Sequence, residues 1–187
     1  MPEPTRKIER SQFVPLPVER AFTFFADAYN LESLTPPWLR FRILTPRPIP
    51  MRRGTVIDYV LTMHGLPVRW RTAIVEWESG RRFADRQVKG PFGFWEHTHA
   101  FEQHDDGTLI HDTVLYRMPY GPLGALAHHV LVGRDLERIF DYRRDAVARL
   151  LASRATRAAA SGGETKLESP ANGPSRPRSS VDRAAVS

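Results

Sequence analysis

The chain has 187 residues, no cysteine and a formal net charge of +6, and 41% of its residues are hydrophobic. This length predicts one domain that buries its own apolar core, with room for a tail. The absence of cysteine excludes a disulfide scaffold, a thiolate metal site and a cysteine nucleophile. The apolar runs are far shorter than the ~20 residues of a membrane helix, and the N-terminus has no apolar signal segment. We therefore expect a cytoplasmic protein with no integral membrane association.

The charge and the apolar residues are divided unevenly between a body, residues 1–152, and a tail, residues 153–187. The tail is basic, has few large aliphatic side chains and has no aromatic residue. Such a segment cannot bury enough apolar area to offset its ordering entropy, so we expect a disordered basic tail. The basic residues of the body are scattered rather than clustered on one run. We therefore expect no nucleic-acid partner.

The first part of the body predicts one strand and two helices. Residues 6–14 alternate loosely between polar and apolar side chains, as a strand does. Pro17 stands where a first-turn proline belongs, and the apolar pattern after it predicts a helix to about Ala28. Asn30 is predicted to cap a second, short helix over Leu31–Leu34.

The rest of the body predicts a sheet followed by one long helix. Six strand-like runs are separated by short turns at Phe41–Thr45, Thr55–Met63, Val68–Glu78, Arg82–Lys89, Phe94–Gln103 and Thr108–Met118. Short connections between successive strands predict an antiparallel meander. Apolar residues then recur at helical spacing from Pro122 to about Ala152, a helix of about 45 Å with Gly133 in its middle. A twisted sheet of this size curls, and one helix across it leaves a natural cavity for an apolar ligand.

Four stretches carry a resemblance to a known superfamily: Leu31–Phe41 (LESLTPPWLRF), His64–Trp70 (HGLPVRW), Gly90–Phe101 (GPFGFWEHTHAF) and Tyr116–Arg144. Through them the body resembles the SRPBCC, or START/Bet v 1-like, superfamily, and in particular bacterial ligand-binding members related to polyketide cyclases and dehydrases. The resemblance covers about residues 6–152. It implies an α+β helix-grip fold, in which a roughly seven-stranded curved antiparallel sheet surrounds one long C-terminal helix, with two short helices. The predicted domain is thus 1–152, with 153–187 outside it.

The helix-grip fold, combined with strand alternation, implies which side chains face the cavity. Trp95, His97, His99 and Phe101 share one face of their strand, and we place that bulky set inward. Phe83, Asp85 and Gln87 fall on the inward face of the preceding strand. The predicted ligand-binding residues are Phe22, Phe25, Tyr59, Leu61, Trp70, Thr72, Gln87, Trp95, His97, His99, Phe101, Asp112 and Tyr116.

His97, His99 and Asp112 form the sharpest candidate for chemistry. The two histidines point the same way, and Asp112 follows on the hairpin partner. Centring that hairpin on the turn at 105–107 places His99 opposite residue 113, next to Asp112. The group could be a buried polar network, a contact to a ligand's hydroxyl or carbonyl, a general base, or a 2-His-1-carboxylate metal site. Since nothing in the sequence sets the geometry of a third metal ligand, we expect no metal and no cofactor.

Two functions remain open at this point. The first is binding of a small hydrophobic or amphipathic molecule, such as a lipid, polyketide or isoprenoid-like compound, in an internal cavity. The second is a cyclase or dehydratase in which the His–Asp pair moves protons in the same cavity. There is no Gly-x-Ser-x-Gly elbow, phosphate loop or dinucleotide fingerprint that would indicate another enzyme class. The sequence does not define the oligomeric state.

Overall fold

The computed structural model describes residues 4–121 and 132–162. Its strands are β1 Arg6–Val14, β2 Arg42–Ile43, β3 Val56–Met63, β4 Leu66–Glu78, β5 Arg82–Lys89, β6 Phe94–His104 and β7 Gly107–Arg117. Its helices are α1 Val18–Ala26, α2 Asn30–Leu34 and α3 Gly133–Gly162, with a 3-10 turn at Pro37–Leu39. The strands form one antiparallel sheet in the order β1-β7-β6-β5-β4-β3-β2. The predicted α+β architecture, a curved antiparallel sheet with one long and two short helices, is confirmed.

Tight hairpins set the register of the sheet. His64 and Gly65 join β3 to β4 with φ angles of 50° and 80°, the left-handed pair that a two-residue primed turn requires. Asp105 and Asp106 join β6 to β7, since His104 already pairs with Gly107. This loop is one residue shorter than the predicted turn.

The shorter loop moves the pairing of β6 and β7 by one residue. His99 stands directly opposite Asp112, not opposite residue 113 as predicted, and His97 stands opposite Val114. His97 and His99 on β6 and Asp112 on β7 therefore face the same side of the sheet. Ile110, Val114 and Tyr116 on β7 are all buried there.

The N-terminal helices differ from the prediction at their ends. The first helix begins at Val18, which leaves Pro17 at the N-cap, and it ends at Ala26 rather than Ala28. The predicted cap at Asn30 is wrong. Asn30 lies inside α2, and its Nδ2 donates to the carbonyl oxygen of Phe24 at 2.7 Å, so it ties α2 to α1.

The strand predicted at Phe41–Thr45 is wrong in length. Only β2 remains, paired with Val60 and Tyr59 at the edge of the sheet. The amides of Leu44 and Thr45 both bond to the Asp58 carbonyl instead of continuing the ladder. The edge strand therefore ends after two residues.

Helix α3 packs on the sheet with a buried stripe. Leu136, Phe140, Val147 and Leu151 recur at helical spacing and are each at most 5% exposed. The helix continues to Gly162, past its predicted end at Ala152. Residues 122–131, the predicted first part of the helix, and residues 163–187 of the predicted tail lie outside the described residues.

The apolar core has two parts that meet at strand β6. One cluster contains Tyr59, Trp70 and Phe140. The other is centred on the first helix and contains Phe25 and Phe83. His97 and His99 of β6 lie at the junction, which places polar groups where the two apolar clusters meet.

Within the described residues, no helix is both long enough and apolar enough to cross a membrane.

Candidate functional site

A cavity of about 190 Å³ lies between the concave face of the sheet and the helices. Most of its wall is apolar, and it includes the following side chains: Phe25, Ala28, Leu31, Leu34, Leu39, Phe41, Ile43, Met51, Ile57, Tyr59, Leu61, Trp70, Ile74, Phe83, Trp95, Leu136, Ile139 and Phe140. The polar groups in the wall are fewer: Asp27, Asn30, Thr35, Thr72, Asp85, His97, His99 and Arg143. An apolar chamber with a few convergent polar groups is the usual form of a small-molecule site.

The polar groups converge because three neighbouring strands place them in one row. Asp85 on β5 pairs directly with His97 on β6, and His99 on β6 pairs directly with Asp112 on β7. Alternation along each strand turns all four side chains to the concave face. The sheet register therefore positions two carboxyl groups on opposite sides of two imidazoles.

Aromatic side chains hold both histidines in place. The ring of His99 lies 4.5 Å from that of Phe83 and 5.8 Å from that of Phe25, measured between centroids. The ring of His97 lies 5.7 Å from that of Phe140 and 3.9 Å from that of His99. His97 is 7% exposed and His99 4% exposed. Such packing limits the rotamers of both imidazoles.

One oxygen of Asp112 lies close to a ring nitrogen of each histidine. Asp112 Oδ1 lies 3.1 Å from His97 Nε2 and 2.5 Å from His99 Nδ1. Burial and the nearby charge of His97 lower the pKa of His99 to about 3, against the opposing effect of Asp112. Burial also disfavours the charge on Asp112, but the charge of His99 and hydrogen bonds from both imidazoles outweigh it and hold the pKa of Asp112 well below its usual range. At neutral pH, Asp112 is therefore ionised and His99 is neutral.

The pKa of Asp85 is shifted in the opposite direction to that of Asp112. Burial raises the pKa of Asp85, and the charge of His97 and the hydrogen bond from Thr72 only partly oppose this. The Thr72 hydroxyl donates to Asp85 Oδ1 at 2.8 Å and lies 3.0 Å from the Arg86 carbonyl oxygen. Two carboxyl groups with oppositely shifted pKa values thus flank one imidazole pair, which is the pattern of acid–base sites.

Arg143 brings a positive charge from α3 to the cavity wall. Its Cζ lies 5.6 Å from the centroid of the Phe25 ring, a cation–π arrangement. Its Nε is buried and has no hydrogen-bond partner among the described residues. Buried donors are rarely left unpaired, so this group is a candidate to donate to a ligand.

Comparison with known families identifies the chain. Residues 5–152 match the family described as polyketide cyclase / dehydrase and lipid transport. The chain belongs to this family. It is accordingly a member of the SRPBCC superfamily, as the resemblance predicted. No curated protein matches the chain significantly.

Solved structures share the fold of this polyketide cyclase / dehydrase family member. The Zhui aromatase/cyclase from Streptomyces sp. R1128 superposes with a TM-score of 0.66 at 19% identity, over 85% of this chain and 99% of that one. A norcoclaurine synthase from Thalictrum flavum gives 0.61 at 13% identity, over 83% and 99%. The protein Ara h 8.0201 gives 0.56 at 16% identity, over 80% and 99%. At these identities the likeness concerns the fold alone.

The family fold brings most of the predicted ligand-binding residues to the cavity wall. Those that line it are Phe25, Tyr59, Leu61, Trp70, Thr72, Trp95, His97 and His99. Asp112 lies behind the histidines rather than in the wall. Phe22 and Phe101 do not line the cavity; they pack with Trp77 and Phe83 in the second cluster.

Two further predicted residues do not line the cavity. Gln87 turns to the following loop, where its Nε2 donates to the Phe92 carbonyl and its Oε1 accepts from the Phe92 amide. The pairing of β4 with β5 shifts by one residue directly after Gln87, since Thr72 pairs with Gln87 but Arg71 pairs with Lys89, and simple alternation does not include such a shift. Tyr116 is buried against Phe92 and Trp95, and so supports the wall from behind.

The site contains functional groups that were not among the predicted site residues. Asp85 falls on the predicted inward face of its strand, and its carboxyl type at an apolar-facing position is the signal that could have singled it out. Arg143, Leu136, Ile139 and Phe140 come from α3. The spacing of the three apolar residues predicts a helix. It does not predict which side of that helix, or that Arg143 on it, faces the cavity.

Proposed function

We propose that this protein binds a compact, mostly apolar molecule that carries one polar, oxygen-containing group. The apolar body of the ligand lies against Tyr59 and Trp70, whose rings stack at 5.8 Å and 19°. Its polar group points to His97, Asp85 and Arg143. The observation that carries the proposal is the set of neighbouring polar groups, Asp85, His97 and His99, in an otherwise mostly apolar cavity wall.

The size of the cavity narrows the ligand class. An apolar cavity of about 150 Å³ binds benzene. The cavity of about 190 Å³ is only slightly larger, which favours a molecule of one or two rings over a long acyl chain. Aromatic walls also suit a ring, because offset and edge-to-face ring pairs add to the apolar burial. A ring-shaped polyketide or isoprenoid-like compound therefore fits the proposal better than an extended lipid.

A binding experiment with a cavity-filling variant tests this proposal. We expect 2-naphthol to bind with one site per chain, measured by titration calorimetry. Leu61→Trp, which fills the cavity, should weaken that binding at least tenfold. Val60→Trp is the matched control, since Val60 is its neighbour on the same strand and does not line the cavity. Absence of saturable binding, or an equal loss in both variants, would contradict the proposal.

The flanking carboxyl groups favour a second candidate, a cyclase or dehydratase. In a dehydration, His97 would take the proton from the carbon next to a ligand carbonyl while Asp112 holds its imidazole. Asp85, whose pKa is raised, would give a proton to the departing hydroxyl, which leaves as water. The Zhui aromatase/cyclase shares the fold and so supports this candidate by analogy.

Turnover separates the two candidates. The probe is a two-ring β-hydroxyketone, whose dehydration gives a conjugated enone with a new near-ultraviolet absorbance. For an enzyme, His97→Gln should lose at least 100-fold in rate while 2-naphthol binding changes less than threefold. For a carrier, the wild-type protein should leave the probe unchanged.

A further inference from the structure

We infer that Asp85, His97 and His99 form a binding site for one divalent transition-metal ion, of the Zn²⁺ or Fe²⁺ type, at the polar end of the cavity. One donor atom from each of these residues lies within 4.8 Å of the donors of the other two. All three residues line the cavity. The inference does not depend on the organic ligand proposed above.

The donor set is one that transition metals select. Two imidazoles and one carboxylate, with further positions open, bind non-haem Fe²⁺ and catalytic Zn²⁺. A tetrahedral ion with bonds of about 2.1 Å needs its donors roughly 3.4 Å apart. The donors are closer than 4.8 Å, so small side-chain rotations suffice to close the site.

Asp112 gives the strongest support, because it occupies the opposite side of both imidazoles. It contacts His97 through Nε2 and His99 through Nδ1, which leaves His97 Nδ1 and His99 Nε2 for an ion. A metal-binding histidine almost always donates its other nitrogen to a carboxylate or carbonyl. Asp112 thus hydrogen-bonds to His97 Nε2 and lies 2.5 Å from His99 Nδ1, so one carboxylate faces both rings from the side away from the proposed ion.

The third donor is held as a ligating carboxylate usually is. The Thr72 hydroxyl bonds to Asp85 Oδ1 at 2.8 Å, so Oδ2 remains for the ion. Asp85 is also the residue directly opposite His97 in the sheet. The third ligand, whose geometry the sequence does not set, thus comes from β5. The carboxylate that the sequence places beside the histidines is Asp112, and it lies behind the rings.

The apolar cavity lies on the open side of this group. An ion held by three protein donors keeps at least one position for water or for an oxygen of a bound molecule. That position faces the chamber lined by Phe25 and Phe140. A bound metal would therefore act as a Lewis acid on an oxygen that reaches this position.

Titration with Co²⁺ tests the inference on the full-length, tag-free chain. The protein is first stripped with a chelator, and the chelator is removed. We expect one Co²⁺ per chain, with visible d–d absorption bands that Zn²⁺ abolishes by competition. Asp85→Asn and His99→Gln should each weaken Co²⁺ binding at least tenfold, and Asp112→Asn about 10- to 100-fold.

Two surface histidines serve as matched controls. His64 lies 2.9 Å from Asp135, and His111 lies 3.6 Å from Glu102, both in exposed pairs. His64→Gln and His111→Gln should bind Co²⁺ as the wild type does. If they lose binding equally, or if the wild type shows no stoichiometric d–d bands, the inferred site is overturned.

Folding of the variants is checked by far-ultraviolet circular dichroism. If His99→Gln does not fold, Asp85→Asn still decides the question, because it preserves side-chain shape and changes only the carboxylate. Wild-type affinity for Co²⁺ in folded Asp85→Asn also overturns the site. Since the readout is the ion alone, its failure leaves the 2-naphthol experiment unaffected, and the reverse holds too.

Discussion

Asp112 stands directly opposite His99 across the β6–β7 ladder, and its Oδ1 lies 2.5 Å from His99 Nδ1. The same oxygen also reaches His97. Both imidazoles are buried, so neither can turn to water if the carboxylate is removed. The aspartate is therefore part of the core as well as of the site.

Replacement of Asp112 by alanine should destabilise the protein. His97 would lose its hydrogen-bond acceptor and His99 its neighbouring carboxylate, and an unsatisfied buried polar group costs about 1–3 kcal/mol. We expect a loss of that size in the free energy of unfolding, measured with urea. Glu102→Ala is the control, because the exposed pair of Glu102 with His111 is worth less than about 1 kcal/mol. Equal losses in the two variants would show that Asp112 has no special role.

Removal of the Thr72 hydroxyl should also lower the free energy of unfolding. Thr72→Val preserves the shape of the side chain but leaves Asp85 Oδ1 without its donor. We expect a loss of about 1 kcal/mol in urea unfolding, and recovery of most of it in Thr72→Ser. Thr98→Val, on the opposite face of the sheet, should change stability by less than about 0.5 kcal/mol. A Thr72→Val protein as stable as the wild type would contradict the assigned hydrogen bond.

Gly107 is required by close packing at the start of β7. A Cβ at this position would lie 2.2 Å from the Val14 carbonyl oxygen and 2.8 Å from Phe13 Cζ. Backbone cannot move away as a flexible side chain can, so Gly107→Ala should lose about 1–3 kcal/mol in urea unfolding. In Gly90→Ala the three atoms nearest to the new Cβ all belong to the flexible Gln87 side chain, which can shift. We expect a clearly smaller loss there, and the reverse order would refute the packing argument.

Trp70 should tolerate replacement by phenylalanine. It is 7% exposed, and its indole Nε1 has no hydrogen-bond partner in the described part of the chain. Trp70→Phe removes this unsatisfied donor while it retains a ring against Tyr59. We expect the free energy of unfolding to fall by less than about 1 kcal/mol, well below the 3–5 kcal/mol typical of truncating a buried tryptophan to alanine. A loss above 2 kcal/mol would show that the packing of the indole ring, and not its unpaired Nε1, determines the stability at this position.

Local patterns predict the strands of this fold better than their registration. Strand β5 has the predicted bounds, because alternation over Arg82–Lys89 is flanked by turn residues on both sides. The β6–β7 pairing is displaced by one residue, since a turn rich in aspartate and glycine fits loops of two or three residues equally well. The cap at Asn30 is wrong because a tertiary contact with Phe24 uses its amide.

For the site, too, the local contacts are predictable from the sequence and the long-range contacts are not. The pairing of His97 and His99 with Asp112 is accessible from the sequence, because a short hairpin brings them together. Asp85 joins them only through the pairing of β5 with β6. Arg143 joins only through the rotation of α3 about its own axis, which packing against the sheet determines. Neither is a property of a local sequence window.

The position of β1 in the sheet has a consequence for folding during synthesis. Strand β1 pairs only with β7. Val14 and Arg6 can therefore form their pairs with Thr108 and Tyr116 only after β7 has been synthesised. At 5–20 residues per second, roughly 100 residues take on the order of 5–20 s to emerge from a ribosome. During that interval the first strand has no partner, while the hairpins from β3 to β6 can already close. Since Asp112 is also on β7, the nascent chain completes its polar row and its sheet edge in the same late step.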